Sequence, residues 1–193
     1  MVVTISRAYG AEGKAVAISA ATQLGYRILD DALPMIEGRS PRFRERLLER
    51  LGADVPELSQ TLTPREGDAL TETSAREIER VVGEAASAGN VVIVGRCGGL
   101  ILGARPDVVR VFVRAALEVR VARVSAALGC DVARARSEIA RVDEARRTFA
   151  QSRYRVVWGD PRNYDLVIDT GRFGVEGSAA IVVAAVRAAD VVS

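Results

Sequence analysis

A three-layer α/β fold, with a five-stranded parallel sheet flanked by helices, is what this sequence predicts, and three observations carry it. Five short runs rich in β-branched residues alternate with helical patterns, without internal repeats or low-complexity tracts. Val91-Val92-Ile93-Val94 is apolar at every position, as in a central parallel strand buried on both faces. The first run breaks into a glycine-bearing loop that ends in Gly13-Lys14 and opens directly into a helical pattern.

That loop is the most informative stretch. Val2, Val3 and Ile5 give a strand pattern that stops at Ser6, and Gly10 and Gly13 flank a short polar loop. Ala15, Val16, Ala17, Ile18 and Ala20 then begin the helix. Strand, loop, Gly-Lys, helix is the layout of a phosphate-binding P-loop. There, backbone N–H groups and a helix N-terminus face anionic oxygens while a lysine bridges them. The full pattern asks for Gly where this chain has Ala8, and for Ser or Thr where it has Ala15. Composition supports the loop. Of the 27 basic residues Lys14 is the only lysine, and the other 26 are arginine. A compact, flexible point charge suits a phosphate better than a planar guanidinium does.

At 193 residues the chain is long enough for one packed domain, and 49% hydrophobic with 27% charged residues describes an ordinary globule. The arginines are interleaved with 25 acids for a net charge of +2, which argues against a nucleic-acid partner. A run of about 18 uncharged apolar residues, as a membrane span needs, is absent. The N-terminus lacks the basic-then-apolar layout of a signal peptide. The chain contains no histidine, and Cys97 and Cys130 stand far apart with no CxxC. Zinc sites of ordinary spacing and His-based triads are therefore excluded, and a cytoplasmic location is expected. Acid–base work falls to carboxylates, Arg, Lys, Tyr or Cys, which points to chemistry that is mostly electrostatic.

In chain order, Lys14 to Leu24 reads as a helix closed by Gly25, and Tyr26 to Leu29 as a second strand. Asp30-Asp31 ends that strand, at the sheet edge where α/β proteins bind ligands. The pair can meet magnesium or a substrate hydroxyl, or cap the next helix. About residues 37–72 form an arginine-rich excursion from the sheet, with a short helix from Pro41 to Leu51. Thr71, Thr73 or Ser74 caps a helix through Ala88. The central strand at 91–94 runs into Gly95-Arg96-Cys97, where Arg96 is placed to reach a phosphate or base. Leu100 to Gly103 is short and helical. Val108 to Val113 is the next strand, which Arg110 makes partly exposed or close to an edge.

Glu118 to Gly129 is helical and carries Arg120 and Arg123; Asp131 caps a long helix to about Gln151. Asp143 and Arg147 are four residues apart on that helix, a spacing at which the aspartate can hold the guanidinium. The arginines crowded around it favour a phosphate-clamping lid over a solvated ladder of ion pairs. Trp158 to Pro161 is a turn, Asp165 to Asp169 the last strand, followed by Thr170 to Gly174, and Val175 to Val192 the closing helix.

These stretches together resemble the cytidylate-kinase-like branch of the nucleoside monophosphate kinases. The carrying segments are ISRAYGAEGKAVA, LGYRILDD, NVVIVGRCGGLIL, VVRVFVRAALEVRVARV and WGDPRNYDLVIDTGRFGVE, in family order over nearly the whole chain. The resemblance implies a P-loop fold with a nucleoside-monophosphate-binding segment and an arginine-bearing lid at about residues 117–156. It also implies magnesium-assisted phosphoryl transfer from ATP to CMP or dCMP. On this likeness Ser6, Arg7, Gly10, Ala11, Glu12, Gly13, Lys14 and Ala15 would hold the donor phosphates. Arg120, Arg123 and Arg172 would assist there, and Gly171 to Gly174 would lie by the donor base. Asp30, Asp31 and Arg96 would meet the acceptor, and Lys14, Asp143 and Arg147 would carry catalysis. Two alternatives stand beside this reading: a degenerate P-loop module that binds nucleotide in a regulatory or interaction role, and a kinase of another small metabolite. The sequence assigns no residue as a protein ligand for metal and leaves the oligomeric state open.

Overall fold

The structure, a computed structural model, describes residues 1–30 and 72–191. Asp31, the helix expected at 41–51 and almost all of the expected excursion lie outside the described residues. In order come β1 (Val2–Arg7), α1 (Gly13–Leu24), β2 (Arg27–Leu29), α2 (Glu72–Ser87), β3 (Val91–Val94), α3 (Gly98–Leu102) and β4 (Val108–Arg114). Then follow α4 (Leu117–Leu128), α5 (Val132–Tyr154), a 3-10 turn (Pro161–Asn163), β5 (Leu166–Asp169) and α6 (Thr170–Asp190).

The five strands form one parallel sheet in the order β2-β3-β1-β4-β5. Parallel neighbours need crossovers, and the helices that supply them cover both faces. One face packs Val3, Ile5, Val92, Val94, Val111 and Val113 against Val16, Ala17 and Ala20 of α1 and Val182, Val183 and Val186 of α6. The opposite face packs Val2, Val91 and Ile93 against Val82 and Ala86 of α2. Alternate residues of each strand thus serve opposite cores, which is why β3 reads as an unbroken apolar run.

One expectation is borne out and another corrected. The strand with Arg110 lies one in from the edge, between β1 and the edge strand β5, and Arg110 is partly exposed, with 19% of its side chain accessible. Asp165 makes the arginine tolerable there, taking Nε at 3.1 Å, Nη2 at 2.7 Å and the Arg110 backbone N–H at 2.8 Å. The closing helix, expected from Val175, already begins at Thr170. Asp169 accepts from Gly171 N at 2.8 Å and caps a first turn, and α6 breaks only at Gly174, with φ 64 and ψ −175.

A third, smaller core lies beyond the carboxyl edge of the sheet. Tyr9, 1% exposed, is enclosed by Val121 and Val124 of α4 and Ala135, Ile139 and Val142 of α5. The two helices expected as a lid are therefore packed around a side chain of the phosphate loop itself.

Candidate active site

The loop between β1 and α1 forms without the first glycine of the full pattern. Ala8 has an ordinary backbone and is buried, while left-handed positions fall on Gly10, with φ 77, and Glu12, with φ 56. A Cβ on Gly10 would sit 2.9 Å from Val124 Cγ2, and one on Gly13 would sit 2.5 Å from Arg7 Cβ. Both glycines are required because α4 and the end of β1 press against the loop. Ala11 N donates to Ala8 O at 3.1 Å and closes the turn. Ser6 and Arg7 end β1, and Ala15 lies in the first turn of α1 with no hydroxyl to offer.

Lys14 extends from the first turn of α1 to the end of β2, where its Nζ meets Asp30 Oδ2 at 2.6 Å. Asp30 is 6% exposed. The structure therefore joins a residue expected on the donor side to one expected on the acceptor side. Arg96 lies at the end of β3, between those strands in the sheet. It stands in a turn where Gly95, Arg96 and Cys97 are all left-handed, with φ 74, 52 and 53. Two consecutive non-glycine residues in that region are strained, and such strain gathers at working sites. Hydrogen bonds from Gly98 N to Gly95 O (2.9 Å) and from Leu100 N to Cys97 O (2.8 Å) hold the turn. Burial pushes the Cys97 thiol up to about 12, so it stays protonated at neutral pH.

α4 and α5 close over the loop through charged groups. Asp143, 5% exposed, accepts from Tyr9 N at 2.9 Å and from Arg120 Nη1 at 2.7 Å. Arg120 also donates to Tyr9 O at 3.1 Å and Ala115 O at 3.1 Å. Arg123 donates to Thr170 Oγ1 at 3.0 Å and Thr170 O at 3.2 Å, and meets Glu12 Oε2 at 2.8 Å. Glu12 itself is left-handed, with φ 56 and ψ 25. Arg172 is exposed on the first turn of α6.

The expected Asp143–Arg147 pairing does not form. Arg147, with 49% of its side chain exposed, pairs with Glu144. Within α5 the arginine beside Asp143 is Arg146, 15% exposed, 3.9 Å from Asp143 Oδ1 and donating to Arg7 O at 3.0 Å, in addition to Arg120 of α4. A signal for it was present: Ala135, Ile139, Val142 and Ala150 are the buried positions of α5, and Arg146 falls in the same stripe. At its far end α5 reaches α2. Arg153 Nη2 (3.0 Å) and Tyr154 OH (3.3 Å) both donate to Glu79 Oε1.

Magnesium does not fit a protein-held site among the described residues. Position 15 lacks a hydroxyl, the carboxylates of Glu12 and Asp30 are held by Arg123 and Lys14, and no group of three metal-ligating residues occurs there. Also among the described residues, no helix is long and apolar enough to cross a membrane.

A parallel sheet in this order, with a Gly-Lys loop after β1 and arginine-bearing helices over it, defines a P-loop kinase fold. Solved structures share it. An uncharacterized protein from Eubacterium ventriosum superposes with a TM-score of 0.67 at 21% identity, covering 97% of this chain and 98% of that one. Shikimate kinase from Aquifex aeolicus gives 0.52 at 17% identity, covering 100% of both chains. The chain belongs to the cytidylate kinase-like family, which matches residues 2–172. It is 33% identical to the cytidylate kinase of Methanopyrus kandleri over 156 residues, 75% of each protein.

Proposed function

We propose that the chain is an ATP-dependent nucleoside monophosphate kinase and that CMP or dCMP is its acceptor. The family supports the class of reaction, and the relative named cytidylate kinase supports the acceptor. One observation carries the reading on the chain's own residues: the 2.6 Å contact between Lys14 and Asp30. It puts the loop cation beside the carboxylate at the end of β2, so an acceptor held at Asp30 lies next to a phosphate held by Lys14.

In this reading the backbone of residues 6–15 and the N-terminus of α1 hold the donor phosphates. Lys14 leaves Asp30 for the transferring group, and Asp30 with Arg96 orients the acceptor. Asp31 belongs with them as the neighbouring carboxylate. Arg120 and Arg123 neutralise charge on the donor side, and Arg172 borders the donor base. Asp143 positions the loop through Tyr9 N, and Arg146 takes the place first given to Arg147. Magnesium brought by the nucleotide would add charge neutralisation beside these residues. Acceleration comes from in-line positioning and from fixed positive charge, with little covalent work by the protein. The region at 117–156 covers the donor, excluding water as a competing acceptor.

Incubation with Mg-ATP and a panel of nucleoside monophosphates and small hydroxyl metabolites, read by ADP release and product mass, tests the proposal. CDP or dCDP is the expected product. Product from a different metabolite makes the chain a kinase of that metabolite. Nucleotide binding without product from any acceptor makes it a binding module, the reading that Ala15 favours.

A further inference from the structure

The phosphate loop carries an acid beside the residue that should attract phosphate. Glu12 is the N-cap of α1, yet its side chain makes no capping hydrogen bond. Its left-handed backbone is one that glycine adopts freely and a side chain resists. A side chain kept at such a position points to a use for the side chain. The carboxylate meets Arg123 Nη2 at 2.8 Å. The other contacts of that guanidinium are both to Thr170, whose hydroxyl also lies 2.9 Å from Ala11 O, directly before Glu12. Thr170 thus holds Arg123 at the rim of the loop from one side, while Glu12 occupies it from the other. The N-terminus of α1 and Lys14 draw anions to this rim, and the charge of Glu12 opposes them.

We propose that Glu12 is an affinity-determining residue that competes internally with polyphosphate. Its carboxylate takes on Arg123 the place of a donor phosphate oxygen, swings away when the nucleotide binds, and returns as the spent nucleotide leaves. The swing is easy because the pair is exposed, with 26% and 40% of the two side chains accessible. Arg123 stays poised throughout because its bonds to Thr170 do not depend on Glu12. The inference rests on the reading that the Lys14 loop holds the donor phosphates.

Calorimetric titration of the full chain with ATP, with and without magnesium, and with inorganic tripolyphosphate tests it. Glu12→Gln is expected to bind ATP and tripolyphosphate about threefold to tenfold more tightly, the scale of removing one partly screened charge. Adding Arg123→Gln should erase that gain, since the two residues act as a pair. Unchanged or weaker binding by Glu12→Gln, with its thermal midpoint preserved, overturns the proposal. So does a loss confined to the titrations with magnesium, which would make Glu12 a metal ligand. Glu12→Gly repeats the test with the backbone strain removed, and must also bind more tightly. The underlying reading fails separately: Lys14→Ala that binds ATP as well as the parent overturns it whatever Glu12 does. A parent that binds tripolyphosphate and ignores ATP overturns only the nucleotide, and one that binds neither overturns both.

Discussion

Lys14 and Cys97 show how single side chains are set by their surroundings. Lys14 is the one lysine in the chain and is held 2.6 Å from Asp30 at the carboxyl edge of the sheet. Its ammonium can pass from carboxylate to phosphate by rotation of a flexible stem, which a planar guanidinium matches poorly. We expect Lys14→Ala to lower turnover at least about a hundredfold, the scale of losing one charge-stabilising contact in the transition state. Unchanged phosphoryl transfer by the purified variant would remove Lys14 from the chemistry. Cys97 has the opposite character. Burial holds its thiol up at about 12, and the thiolate is the reactive form. Alkylation by iodoacetamide at pH 7.5, followed by peptide mass spectrometry, should leave Cys97 largely unmodified under conditions that consume free glutathione, a small thiol of about pKa 8.5 to 9. Fast labelling at Cys97 would contradict the burial.

Among the elements, α5 does the most to assemble the site. Its N-terminus is capped by Asp131, which accepts from Arg134 N at 2.8 Å, as its sequence suggests. Its middle carries the buried Asp143 onto Tyr9 N and Arg120, and its end reaches Glu79 of α2. Removing one member of a buried ion pair leaves the other charge without its partner. We expect Asp143→Ala to cost about 3 kcal/mol in urea unfolding. Arg147→Ala, which loses only an exposed pair with Glu144, should stay within about 0.5 kcal/mol. Equal costs for the two variants would show that the contact of α5 with the loop is not what holds it. The helix itself was legible from its apolar spacing, but its partners were not. An i, i+4 rule reports neighbours along one helix, whereas Asp143 pairs with Arg120 of α4 and with a backbone N–H 134 residues away.

The whole molecule is tied together by the sheet and by carboxylate–arginine pairs around it. Hydrogen bonding to Arg110 holds Asp165 below the usual carboxylate range, and Arg105 and Arg141 do the same for Asp107 and Glu138. A lowered folded-state value means that each contribution is complete above the ordinary value of about 4 and is lost as pH falls through the lowered one. Stability should therefore decline below about pH 4. Asp165→Asn should be less stable than the parent at pH 7, with a shallower acid decline, so that the two urea midpoints converge at low pH. Parallel curves for the two proteins would show that the Arg110–Asp165 pair contributes nothing to the acid limb.

Local order fixed much of the architecture in advance. β-branched runs such as Val91 to Val94, glycines at helix ends and the Gly13-Lys14 loop each specify their element within a few residues, because backbone geometry and burial on both faces act at that range. They predict five strands, the helices between them and a phosphate loop at the carboxyl edge. Only the tertiary structure put Lys14 on Asp30, Arg120 on Asp143, Arg146 in place of Arg147, and Glu12 on Arg123. These contacts join elements far apart in the chain, and their geometry follows from which helix faces pack over the loop around Tyr9. Spacing along the sequence marks the buried stripe on which Arg146 falls, but carries no record of which partners pack against it.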